Sequence, residues 1–197
     1  MNQPAEHRCF AVVLAAGRSR RFGANKQLQE LDGQPLVRRA AALARAVCGK
    51  NTLLVAGHEW RRVVAAADQQ CQFVAINENF GDGIGTSIAV AAKSLAQTAD
   101  CMLILLADQP LISENHLNAL LSAWSGDDEE IVATAFAGTQ GPPVLMPRGA
   151  FSDLAKLEGD TGAHMLLENP HYRLTTVCFD PAAVDIDSPD DLDRLTW

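Results

Sequence analysis

Apolar residues in this chain come in short unbroken runs. Between the runs lie longer stretches in which apolar and polar positions alternate at a helical spacing. Five runs, at residues 10–14, 52–56, 72–76, 102–106 and 131–136, have the length and aliphatic content of buried strands. The intervening segments 36–47, 59–67, 86–96 and 114–124 gather their apolar residues on one face of a helix. Strand and helix taking turns in this way predicts an α/β fold: a mainly parallel sheet with helices on both faces, three αβα layers. Pro35 suits the first turn of the first helix. Beyond Phe136 the rhythm fades. Residues 138–143 are turn-like, and Val144-Leu145-Met146 reads as a short strand, expected to add an antiparallel element at the sheet edge. A further strand is predicted over 174–179. Parallel sheets bind ligands at the carboxyl ends of their strands, so the polar segments after each run are the places to look for chemistry.

The first such segment is the most informative: Leu14-Ala15-Ala16-Gly17-Arg18-Ser19-Arg20-Arg21-Phe22-Gly23-Ala24-Asn25-Lys26-Gln27. Small residues let a backbone approach a ligand closely. Successive backbone N–H groups in such a turn point at anions, and Arg and Lys add mobile positive charge. The stretch therefore suits a triphosphate. It is not a Walker A loop, because Ala24 and Asn25 separate Gly23 from Lys26. The plain alternative is a solvated basic turn after a strand.

Three later segments fall at the same expected edge. After the third run, Gly81, Gly83 and Gly85 alternate before Thr86 and Ser87, either of which could cap the next helix. The start of that helix would offer N–H groups to an anion or a base edge. After the fourth run comes Asp108-Gln109-Pro110. A carboxylate there is costly to bury alone, and its position favours a bound cation over a turn cap. Near the C-terminus, Ser188 and Asp191 have capping-box spacing with Pro189 between them, which accounts for Asp190 and Asp191 but not for Asp185 and Asp187. The Gly-punctuated turn at 157–165 is expected to open a helix. Asp160 there is either a cap or a ligand-facing carboxylate.

Composition narrows the partners. The 197 residues suit one domain, and no linker-like tract interrupts them. A formal net charge of −8 argues against nucleic acid and anionic membranes as general partners. Against that acidic background Arg18, Arg20, Arg21 and Lys26 indicate a small anionic ligand. The five cysteines form no C-x-x-C pair and mostly lie in or beside apolar runs, as expected of buried, reduced thiols. The first eight residues are polar and lack the apolar core of a signal peptide, and no run is long enough to span a membrane. These features lead us to expect a cytoplasmic protein.

Taken in order, Leu-Ala-Ala-Gly-x-Ser-x-Arg-x-Gly-x-x-Lys at 14–26, Gly83-Ile84-Gly85-Thr86-Ser87, Asp108-Gln109-Pro110, Gly159-Asp160-Thr161-Gly162-Ala163 and Asp185-Ile186-Asp187-Ser188-Pro189-Asp190-Asp191-Leu192 resemble the nucleotidyltransferases that make activated cofactors and sugars. The nearest branch is the molybdenum-cofactor nucleotidyltransferases, in particular the cytidylyltransferases. The resemblance implies a Rossmann-like sheet of the nucleotide-diphospho-sugar transferase type and Mg²⁺-dependent transfer of CMP from CTP to molybdenum-bearing molybdopterin. It assigns Leu14, Ala15, Ala16, Gly17, Arg21, Lys26, Gly85 and Ser87 to the nucleotide, with Lys26, Arg21 and Asp108 as the catalytic set. It assigns Asp108 and Asp187 to the metal, with Asp185 the competitor of Asp187. Asp160, Gly162 and His164 are assigned to the acceptor, although His164 stands where that branch usually carries Arg. A molybdoenzyme or its chaperone is the further partner implied. Ala15-Ala16-Gly17 matches the cytidylyl enzymes rather than the Leu-Ala-Gly-Gly of the guanylyltransferases, the runner-up along with sugar- or polyol-phosphate transferases. Two readings from other classes are an NAD(P)-dependent oxidoreductase using Gly81–Gly85 and a nucleotide-binding regulator without activity. The first lacks G-x-G-x-x-G after the first strand.

Overall fold

The computed structural model describes residues 7–19 and 22–195. Its centre is a seven-stranded sheet built from β1 (Cys9–Ala15), β4 (Thr52–Ala56), β5 (Phe73–Ile76), β6 (Cys101–Leu106), β7 (Glu130–Phe136), β8 (Thr139–Pro147) and β9 (Arg173–Cys178). Two short strands, β2 (Glu30–Leu31) and β3 (Gln34–Pro35), form a separate hairpin. The strand order is β5-β4-β1-β6-β8-β7-β9. β1 pairs in parallel with β4 and β6, β4 with β5, and β7 with β9.

β8 is antiparallel to both β6 and β7 and lies between them. The expected antiparallel strand is therefore present, but inside the sheet and not at its edge. Val144, Leu145 and Met146 are fully buried, and consecutive residues of a strand face opposite sides. Inside the sheet, such a run is covered on both faces and paired on both sides. The turn from β7 to β8 uses Ala137 and Gly138, both at positive φ, as a tight hairpin requires.

The helices are α1 (Leu36–Cys48), α2 (Trp60–Ala66), α3 (Ile84–Leu95), α4 (Glu114–Ala123), the short α5 (Phe151–Leu154) and α6 (His164–Leu167), and α7 (Pro189–Asp193). Along β1, Phe10, Val12 and Leu14 join one core with α3, α5 and α6, while Ala11, Val13 and Ala15 join another with α1, α2 and α4. This is the αβα sandwich expected from the pattern.

α3 begins at Ile84, ahead of the capping residues expected from the sequence, with Gly83 at its N-cap. Thr86 instead donates its hydroxyl back to Gly83 O at 2.8 Å. All five cysteines are free thiols. Cys101 is buried, but Cys178 is exposed at the end of an edge strand, against the expectation of burial. Among the described residues no helix is long and apolar enough to cross a membrane.

Candidate active site

The carboxyl ends of β1 and β6 open onto a cleft of about 430 Å³. Leu14, Ala16 and Gly17 line it, whereas Ala15 points into the opposite core layer by the two-residue alternation of the strand. Close approach here depends on a glycine that the sequence reading passed over. A Cβ on Gly57, just after β4, would lie 2.6 Å from Phe80 Cβ and 2.9 Å from Ala16 O. Without it, His58 N–H reaches Ala16 O at 3.0 Å and holds the turn after β1.

The basic loop closes on itself. Lys26 N–H donates to Ser19 Oγ at 3.1 Å, and Ser19 Oγ donates to Gln27 Oε1 at 3.3 Å. Asn25 caps the single 3₁₀ turn Lys26–Leu28 by accepting from Gln27 N–H, and its amide donates to His58 O. These bonds aim Lys26 across the cleft. Its Nζ lies 2.6 Å from Asp108 Oδ2 and 3.1 Å from Asp187 Oδ1. Arg20 and Arg21 lie outside the described residues. Arg18 folds over the Phe80 ring, 5.1 Å from its centroid, and both line the cleft.

Asp187 arrives from a distant segment through two backbone anchors. Ile186 N–H donates to Asp108 O at 3.0 Å, bringing the two loops side by side. The Ser188 capping box then starts α7, and Asp191 Oδ2 accepts from the backbone N–H of both Ser188 and Asp187. Behind them, the buried Gln109 amide donates to Pro142 O at 3.1 Å and Ala182 O at 3.0 Å. Burial pulls the Lys26 ammonium down, but the charge of Asp108 and hydrogen bonds to Asp108 and Asp187 outweigh it, so its pKa is raised. Asp185 has no ion pair to Lys26. Partial desolvation of its carboxyl and the charge of Asp108 push it up to about 6, with Asp187 adding to the rise and Lys26 opposing it.

The other sequence-selected residues divide. Ser87 lines the cleft, and Asn77 Nδ2 holds its hydroxyl at 2.9 Å and that of Thr86 at 2.8 Å. Asn77 was not singled out from the sequence. It directly follows an apolar run, the same signal that drew notice to Asp108. Gly85 serves packing: its N–H donates to Gly159 O at 3.0 Å, and a Cβ there would lie 2.7 Å from Thr161 O. That helix-start N–H is therefore occupied by protein. Asp160 lines the cleft. A Cβ on Gly162 would meet Ile84 Cγ2 at 3.8 Å. His164 does not line the cleft; it heads α6 and faces Glu168 at 3.6 Å.

The carboxylates of Asp108 and Asp187, hard oxygen donors beside the Lys26 ammonium, suit a divalent cation that shares its remaining positions with phosphate and water. Among the described residues no group of three or more His, Cys, Asp and Glu side chains is arranged to hold a metal by itself.

Comparison with known proteins gives this geometry a family. The MobA-like NTP transferase domain matches residues 11–176. The purine catabolism protein PucB of Bacillus subtilis is 31% identical, covering 94% of this chain and 95% of its own. Nicotine blue oxidoreductase of Paenarthrobacter nicotinovorans is 27% identical over 93% of this chain and 94% of its own. Among solved structures, Rv0371c of Mycobacterium tuberculosis superposes with a TM-score of 0.81 at 28% identity, covering 96% of this chain and 97% of that one. A second structure of Rv0371c is a complex with manganese.

Proposed function

The chain belongs to the MobA-like NTP transferase domain family, and from that membership we propose that it moves a nucleoside monophosphate, CMP from CTP, onto a phosphorylated acceptor, molybdenum-bearing molybdopterin. The observation that carries the reading is the meeting of Lys26, Asp108 and Asp187 beside a cleft lined by Leu14, Ala16 and Gly17. In this reaction an oxygen of the acceptor phosphate attacks the α-phosphorus. The bond from that phosphorus to the β-bridging oxygen breaks, and pyrophosphate leaves. The acceptor supplies the nucleophile, so no serine or cysteine is needed. The protein's task is to hold two anions together and to balance charge on the departing group.

Lys26 would exchange carboxylate oxygens for phosphate oxygens when the triphosphate arrives, and we assign Arg21, nearby in sequence, to the same triphosphate. Asp108 and Asp187 would hold a divalent cation, Mg²⁺ by our assignment, which neutralises phosphate charge when bound. That Rv0371c was solved as a complex with manganese supports a role for a divalent ion in this family. Asp160 at the cleft and the adjoining Gly162 turn would face the acceptor. The outward His164 is left with a part in acceptor binding only if the acceptor extends past the rim.

The test is pyrophosphate release from CTP, GTP, ATP and UTP, each with molybdopterin-type and sugar-phosphate acceptors. Release from CTP with a molybdopterin acceptor supports the reading. CTP binding without release under every combination would favour a regulator. A second reading rests on one observation, that a relative named as an oxidoreductase spans nearly the whole chain. An absorbance change of NAD(P)H in the presence of substrate, with no pyrophosphate released, would replace transfer by hydride chemistry.

A further inference from the structure

The two edges of the sheet are defended differently. β9 opens on Arg173, whose guanidinium pairs with Asp127 at 3.2 Å and Glu130 at 3.4 Å. Among the described residues no such ion pair guards β5, at the other edge. From Gln69 to Asn77 the sequence carries no charge, no proline and no glycine. Edge strands are ordinarily protected by just such residues, because their free N–H and C=O groups recruit another strand. β5 also exposes its apolar side chains on both faces: Phe73 is 50% exposed, Val74 45% and Ile76 36%.

The occupant that fits is a strand, and one register suits it throughout. Asn77 donates its backbone N–H inward to Ala56 O at 2.8 Å. N–H and C=O groups change side every residue along a strand, so Val74 and Ile76 turn theirs outward. A second copy related by a two-fold axis normal to the sheet runs antiparallel and keeps each face on its own side. With the axis at Ala75, Val74 of one copy lies opposite Ile76 of the other, and each such pair exchanges both backbone hydrogen bonds. Ala75 meets its own counterpart. The nearest acid, Glu78, falls just beyond the pairing segment and opposite the uncharged Gln72, so no like charges meet.

We infer that β5 is a self-association edge through which two copies of this chain join their sheets into one, with Val74 and Ile76 as the pairing residues. The strand is only four residues long, so the association is reversible and depends on concentration.

Sedimentation velocity of the full chain over a concentration series tests this, with hydrogen exchange of the β5 amides measured on the same samples. A monomer–dimer equilibrium is expected, with protection of the Val74 and Ile76 amides rising with concentration. The variant Val74→Lys/Ile76→Lys sets ammonium groups opposite each other across the axis. It should raise the dimer dissociation constant at least about tenfold. Both positions reach solvent in the monomer, and an unchanged circular dichroism spectrum shows that the variant folds. A chain that stays monomeric with concentration-independent β5 exchange overturns the inference. So does a dimer that the double variant leaves intact, or β5 protection that appears only with an unrelated extended peptide.

Discussion

Lys26 Nζ and Asp108 Oδ2 lie 2.6 Å apart, although one sits in a loop after the first strand of the chain and the other beyond the fourth strand of the large sheet. The parallel pairing of β1 with β6, Leu14 beside Leu106, brings their carboxyl ends together. A crossover fold makes neighbours of loops that are distant in sequence.

This contact leads to the first expectation. Lys26→Ala and Asp108→Asn should each lower turnover in the pyrophosphate-release assay by at least about a hundredfold, the scale for loss of one electrostatic donor at a transition state. Steady-state kinetics on variants with unchanged melting curves would check it. Normal turnover in either removes that residue from the mechanism.

Two glycines of the nucleotide region should behave oppositely. Gly83 sits at φ +110°, and a Cβ there would come within 2.2 Å of the Gly159 backbone. Gly83→Ala should cost about 2 kcal/mol or more in urea unfolding, from backbone strain and displacement of the 158–161 turn. Gly17 has its nearest neighbour at 3.8 Å and no left-handed backbone. Gly17→Ala should change stability by no more than about 0.5 kcal/mol, and any loss of nucleotide affinity would then report contact with the ligand.

Glu130 makes a pH-dependent contribution far from the cleft. Desolvation pushes its carboxyl up, but hydrogen bonds from the Ser125 side chain and backbone, from Thr175 and from Arg173 outweigh this and bring it down to about 2. The folded value is below the unfolded value of about 4.3, so its stabilisation is complete above pH ~4.3 and lost as pH falls toward 2. The full effect is about 3 kcal/mol. Unfolding free energies of Glu130→Gln and the parent chain should differ most near neutral pH and converge near pH 2. A pH-independent difference would assign the loss to packing.

His116 offers a spectroscopic check of the core beside β7. Its Nε2 lies 2.8 Å from Thr134 Oγ1, and the ring stacks on Phe179 at 4.3 Å. The Thr134 hydroxyl proton is already committed to Pro143 O at 2.7 Å, so Thr134 accepts and His116 carries its proton on Nε2. Burial lowers the ring's pKa. The neutral ring therefore stabilises the fold above pH ~6.5, and this contribution fades as pH falls through the lowered folded value. Nitrogen NMR should show the Nε2–H tautomer and a midpoint below that of an exposed histidine. The Nδ1–H form would contradict the hydrogen-bond assignment.

The amino-acid sequence by itself determined the main strands and helices, but not the small β2–β3 hairpin or the short α5. Runs such as 102–106, apolar at every position and too short for a helix, read as strands buried on both faces, and the helical spacing of 36–47 reads as an amphipathic helix. It also marked the candidate charges, Asp108 just beyond an apolar run, Lys26 in the basic stretch after the first run and Asp187 ahead of the C-terminal capping box. Tertiary structure decided which of them meet. Asp185 and Asp187 alternate about Ile186 and look equivalent along the chain. The Ile186 N–H bond to Asp108 O and the Asp191 bond to Asp187 N–H turn Asp187 toward Lys26. The same holds for β8 inside the sheet, for Gly85 packed under a distant turn, and for His164 facing Glu168 in place of the cleft. Periodicity is fixed by neighbours a few residues apart. Strand order and close backbone approach depend on segments far apart in the chain, and no local pattern encodes them.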